Sequence, residues 1–102
     1  MRTRVYQNSW GGRAEHGFRF IEIEEWEHSI TIYIVVKDYC DWGGKSQIEA
    51  DYEQCLTIPT QEPLTRELLF EYIIEAGKIL DETYLLPKSV DELNYHDDNV
   101  FI

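Results

Sequence analysis

The feature that most constrains this 102-residue chain is a parity rule in its middle. Ile30, Ile32, Ile34 and Val36 all fall on even numbers, and so do Ile48, Ala50, Tyr52, Leu56 and Ile58. Side chains alternate between the faces of a strand, so each run offers one apolar row to a core and one more polar row to the other side. If the two runs are neighbours, their apolar rows must share a face, and paired residue numbers must then add to an even value. A loop of about three to five residues around Gly43 and Gly44 sets that value near 88. This register pairs Val36 with Tyr52, Ile32 with Leu56 and Ile30 with Ile58. It also puts Cys40 beside Ile48 and Cys55 beside Tyr33, on opposite faces. A disulfide needs Cα atoms within about 7 Å, so two free thiols are expected.

The flanking segments extend the sheet. Residues 18–25 mix aromatic, β-branched and acidic side chains, and residues 3–8 form a weaker first strand. Within the second strand the apolar parity changes between Phe20 and Ile21. Either a β-bulge near Phe20 reconciles the two halves or the strand is covered on both faces. Short connectors, among them Glu27-His28-Ser29, favour antiparallel neighbours, so strands over 3–8, 18–25, 30–39 and 48–58 make a meander.

Pro59 and Pro63 close the sheet region, and residues 64–86 read as a long helix. Leu68, Tyr72, Ala76, Ile79 and Thr83 form a stripe that Leu69, Ile73 and Leu80 widen, while Glu67, Glu71, Glu75, Lys78 and Glu82 line the opposite side. Thr65 or Glu62 caps its start and Pro87 marks its end. Gly77, which costs about 1 kcal/mol relative to Ala inside a helix, points to close packing on the sheet. Phe70 and Ile74 carry the apolar arc further, so the helix is either deeply buried or keeps a flank for a partner. Ser89 and Glu92 form a capping box for one short turn. Residues 99–102 are expected to fray, with a fifth strand as the alternative. The expected fold is α+β: a curved, four-stranded antiparallel β-meander with a long C-terminal helix packed on one face. It forms a single domain over residues 1–102, divided into sheet (1–58), helix (64–86) and tail (87–102).

Charge narrows the function. Twenty acidic side chains against nine basic ones give −11 at pH 7. Residues 1–19 hold four arginines and one glutamate, a balance of +3, and the remainder stands at −14. Such an excess disfavours nucleic-acid binding and docking on anionic lipid, both of which need a basic surface. Arg2 and Arg4 precede a polar stretch instead of the apolar core of a signal peptide, and no apolar run approaches the roughly 20 residues of a membrane span. A cytoplasmic protein is expected. Cys40 and Cys55 are too few for a zinc site, the histidines lie apart, and the Gly pairs lack the spacing of a phosphate loop. Neither enzymatic activity nor a metal or cofactor is expected.

Two features suit recognition of a protein. Trp10-Gly11-Gly12-Arg13 echoes Trp42-Gly43-Gly44-Lys45, and in an up-and-down meander both turns emerge at the same end of the sheet. Trp and Arg are favoured interface residues, so Trp10 and Trp42 are candidates for partner contact; alternatively each indole covers the open end of the core. The second feature is the outer face of the third and fourth strands, where Tyr33, Val35, Lys37 and Tyr39 lie beside Glu49, Asp51, Glu53 and Cys55. Aromatic area supplies affinity and carboxylates supply steering, which favours a cationic protein.

In size, charge and architecture the whole chain resembles the small immunity proteins of bacterial toxin systems, including those of contact-dependent growth inhibition. The resemblance implies a cytoplasmic protein that binds one cationic toxin domain, often a nuclease, and neutralises it by blocking its active site. Two other readings follow from the same numbers: a phage-type acidic mimic of nucleic acid that inhibits a host defence protein, and a small ligand-binding domain or enzyme.

Overall fold

A computed structural model describes residues 1–42, with Trp42 as backbone only, and 45–96. Four strands, β1 (Thr3–Gly11), β2 (Glu15–Glu25), β3 (Ser29–Trp42) and β4 (Lys45–Pro59), precede a helix, α1 (Arg66–Ile79), and a 3-10 turn, Val90–Glu92. The strands form one sheet in the order β1-β2-β3-β4, each antiparallel to the next. Every strand runs further toward the Trp-Gly-Gly turns than its apolar pattern alone suggests. Among the described residues no helix is long and apolar enough to cross a membrane.

Loop length and burial compete for the register. From Ser29↔Pro59 to Asp38↔Ala50 the β3–β4 pairs add to 88, so Val36 meets Tyr52, Ile32 meets Leu56 and Ile30 meets Ile58, as the parity rule requires. The hairpin closes as Trp42↔Lys45, with two residues between instead of three to five. An even number of loop residues forces an odd sum, here 87. A bulge reconciles the two values: after Asp38↔Ala50 the next pair is Tyr39↔Ile48. Cys40 therefore lies opposite Gln47, not Ile48, and Ile48 turns from the inner face to the outer one, where it is 63% exposed. Cys55 pairs with Tyr33 as expected, and both thiols are free, Cys40 buried and Cys55 exposed.

Of the two arrangements open for the second strand, a bulge near Phe20 is not the one adopted. The β2–β3 ladder keeps a single register from Glu15↔Cys40 to Glu25↔Ile30. Its sum is odd, as the parities of Ile21 and Ile34 need, so no bulge is required there. Ile21 and Ile23 face inward and are buried, while Phe18 and Phe20 face outward. The irregularity lies in β1, between Arg4↔Glu22 and Tyr6↔Ile21, and it lets both Val5 and Tyr6 enter the core.

The core lies on the inner face and draws Ile21, Ile23, Ile30, Ile32, Ile34 and Val36 from the sheet and Leu69, Ile73 and Ala76 from α1. Thr65 caps the helix, its Oγ1 accepting from the Leu68 amide at 3.1 Å. The helix ends much earlier than residue 86. Asp81 adopts a left-handed conformation (φ 56°), Glu82 N donates to Gly77 O at 2.7 Å and Asp81 N to Lys78 O at 3.3 Å, a Schellman closure. Asp in place of the usual Gly at that position hides the stop from the sequence. The chain then folds back, and Leu86 packs on Gly77. Gly77 thus makes room for the returning segment, not for the sheet. At the 3-10 turn Ser89 makes no side-chain cap bond; Glu92 reaches past it to the Lys88 amide at 2.9 Å. Residues 99–102 lie outside the described residues.

A 15-residue strand spans about 50 Å and a 14-residue helix about 21 Å, so α1 covers less than half the length of β4. Gly77→Ala tests the return. A Cβ there would stand 2.4 Å from Leu86 Cδ1 and 2.9 Å from Glu82 O. The overlap costs about 1–3 kcal/mol and outweighs the gain in helix propensity of about 1 kcal/mol, so chemical denaturation should show net destabilisation. A thiol reagent should modify one cysteine, Cys55, in the folded protein and both after unfolding.

Candidate partner-binding surface

On the outer face the residues fall into two halves. Toward the β2–β3 turn lies a closed charge network. Arg2 sits 3.7 Å above the Tyr33 ring and pairs with Glu22 at 2.9 Å and Glu53 at 3.0 Å. Arg4 pairs with Glu22 at 3.0 Å and covers the Phe20 ring at 4.0 Å. The Tyr33 hydroxyl donates to Glu24 Oε1 at 2.5 Å. That bond pushes the phenol above its usual range and pulls the Glu24 carboxyl below its own, so neither changes charge near neutrality. Arg2 and Arg4, from the N-terminal segment, thus partly neutralise carboxylates that composition alone would offer to a partner.

The other half, toward the Trp-Gly-Gly turns, is aromatic. His16 stacks on Tyr39 with centroids 5.4 Å apart, and Phe18 stands edge-on to Tyr39 at 6.3 Å and stacks on Phe20 at 6.1 Å. Phe18 is 37% exposed and lies on the same face as Ile48, which pairs with Tyr39. Ile48 and Glu49 both stand opposite Tyr39 because of the bulge. Next along β4 come Asp51, 3.7 Å from Lys37 Nζ, and Glu53, each about half exposed. No described element covers this half.

Of the residues singled out from sequence, Tyr39, Glu49 and Asp51 gather here or along the adjoining edge. Tyr33 and Glu53 belong to the charge network through Arg2. Trp10 is on the opposite face, and the Trp42 side chain lies outside the described residues. His16, Phe18 and Ile48 escaped the sequence reading. The available signal was that a two-residue Gly-Gly hairpin gives an odd sum, which reverses the face of Ile48.

On the inner face, beyond the end of α1, a polar cluster takes over from the core. The Trp10 indole Nε1 donates to Asp38 Oδ1 at 3.0 Å, and Arg19, only 8% exposed, pairs with the same oxygen at 2.7 Å. Tyr84 sets its ring 5.5 Å from the Arg19 guanidinium, and Tyr52 donates to Glu82 Oε2 at 2.8 Å. Gly17 is what lets the cluster close: a Cβ at that position would lie 2.1 Å from Asp38 Oδ1 and 2.3 Å from Trp10 Nε1. Trp10 therefore roofs the far end of the inner face. The first Trp-Gly-Gly turn lies beside the end of β3, with Asp41 N donating to Ala14 O at 2.6 Å.

Among the described residues no group of three or more His, Cys, Asp or Glu side chains is placed to hold a metal ion. No family model, curated protein or solved structure matches this chain.

Burial alone would raise the Asp38 carboxyl, but hydrogen bonds from Arg19 and Trp10, with the Arg19 charge, outweigh it and hold the pKa below the usual aspartate value. A depressed folded-state pKa stabilises above the unfolded value of about 3.9, and that contribution is lost as pH falls through the folded value. Asp38→Ala strands Arg19 and should cost about 3 kcal/mol at pH 7. Denaturation across a pH series should show the gap to the unsubstituted protein narrowing below about pH 4.

Proposed function

We propose that this protein is an inhibitor of the immunity type. It acts in a bacterial cytoplasm, binds a cationic toxin domain, a nuclease, and blocks its active site. The observation that carries this reading is the uncovered strip of His16, Phe18, Tyr39 and Ile48 beside Glu49 and Asp51 on the outer face. Aromatic side chains bury large areas at low entropic cost and are frequent interface anchors. A net charge of −11 speeds encounter with a cationic domain, toward 10⁸–10⁹ M⁻¹s⁻¹ at low salt by order of magnitude. A standard interface asks roughly 800 Å² of each partner, which one sheet face and its loops can supply. Bulged strands bend, and an outer face curved in that way would fit a convex or cleft-bearing partner more closely.

A nucleic-acid mimic receives less support. It needs separated rows of carboxylates at phosphate-like spacing, and on this face Arg2, Arg4 and Lys37 break such rows.

The test is affinity for the cationic C-terminal domain of a toxin encoded beside this gene, measured across a salt series. Tyr39→Ala and Ile48→Ala should each weaken binding at least tenfold, as loss of about 1.4 kcal/mol at an interface anchor does. Replacing Glu49, Asp51 and Glu53 together with Lys should slow association and flatten its salt dependence, with the fold checked by circular dichroism. Unchanged affinity and salt dependence in both sets would remove this face from the binding site.

A further inference from the structure

β4 is the edge of the sheet along its whole 15-residue length. Among the described residues its backbone bonds go to β3, and none comes from outside the sheet. The opposite edge differs, because the Asn94 amide donates to Val5 O at 2.7 Å and so occupies part of β1. The bulge at Ile48 and Glu49 confines the regular part of the β4 edge to Ala50–Pro59. Over these ten residues every second one turns its backbone groups away from β3, and those outward N–H and C=O groups (Pro59 has no N–H) form a template for another strand.

The side chains along this edge select the occupant. Asp51 and Glu53 project on the outer face, and Tyr52, Leu56 and Ile58 on the inner one. A second copy is disfavoured. Each copy carries a net charge of −11, so two copies repel one another. The basic N-terminal segment of another copy is no better, since Arg2 and Arg4 already pair with Glu22 and Glu53 of their own chain. Glu53 already holds Arg2 and Asp51 stands 3.7 Å from Lys37, but both carboxylates stay about half exposed. With the net charge of −11 they favour an extended segment with Lys or Arg at alternate positions on the outer side, and apolar residues between them beside Tyr52 and Leu56. We propose that the β4 edge receives such a segment of the partner protein as a fifth strand. This inference rests on the reading of a cationic protein partner and specifies how part of that partner is held.

The full chain, labelled with ¹⁵N, is titrated with the acetylated, amidated peptide Thr-Lys-Val-Lys-Ile-Lys-Thr. Two analogues carry N-methyl groups at alternate residues, one along each edge of the peptide. The parent peptide should slow hydrogen exchange of outward-pointing amides within residues 50–58 at least tenfold. Methylation of one edge should raise Kd at least tenfold, and methylation of the other should leave it within twofold. Equal binding of both analogues would reduce the contact to charge attraction and overturn the fifth strand, while leaving capture of a cationic domain intact. Absence of any peptide-dependent protection would overturn it too. Protection already present in the free protein, with a dimeric mass in solution, would assign the edge to a second copy and overturn it as well.

Discussion

The arrangement of this molecule depends on a conflict between turn geometry and burial. A two-residue connection between Trp42 and Lys45 demands an odd register, whereas packing Ile30–Val36 and Tyr52–Ile58 on one face demands an even one. Neither can yield: only two residues lie between Trp42 and Lys45, and a one-residue slip would put a row of isoleucines into water. The bulge beyond Asp38 absorbs the difference and has three consequences. Ile48 moves outward beside Tyr39, Asp38 stays inward where Trp10 and Arg19 reach it, and the regular part of the β4 edge is cut to ten residues.

A second constraint is the mismatch between sheet and helix lengths. With α1 ended at Ile79 by the left-handed Asp81, the distal inner face has no helix to cover it. Apolar side chains there would be half-exposed, and the chain uses a different solution. Arg19 and Asp38 neutralise each other under the Trp10 indole, while Tyr52 and Tyr84 bridge back to the segment that follows the helix. A buried ion pair is a modest source of stability, but removing either member leaves an unpaired charge, so the cluster strongly fixes the position of the Trp10 turn.

The charge excess is distributed differently from what strand patterns suggest. On the outer face six carboxylates, Glu22, Glu24, Asp41, Glu49, Asp51 and Glu53, meet Arg2, Arg4 and Lys37. Most of the surplus therefore belongs to the solvent side of α1, the turns and the C-terminal segment. There it raises the long-range field that draws in cations, while the aromatic strip offers contact area. Steering and contact are thus carried by different parts of the surface.

What the sequence determined by itself is the meander, the central β3–β4 register, the inward row of isoleucines and the separation of the two thiols. Each follows from period-two alternation, a local signal that short connections convert into topology. Only the tertiary structure decided where the bulges lie, because a bulge settles a mismatch between two strands and neither strand carries it alone. The same holds for the early helix end, where a Schellman closure on Asp81 overrode an apolar stripe that continues to Thr83. It holds too for the fate of charges: Arg2, Arg4 and Arg19 read as free cations until the fold brings Glu53, Glu22 and Asp38 within 3 Å of them.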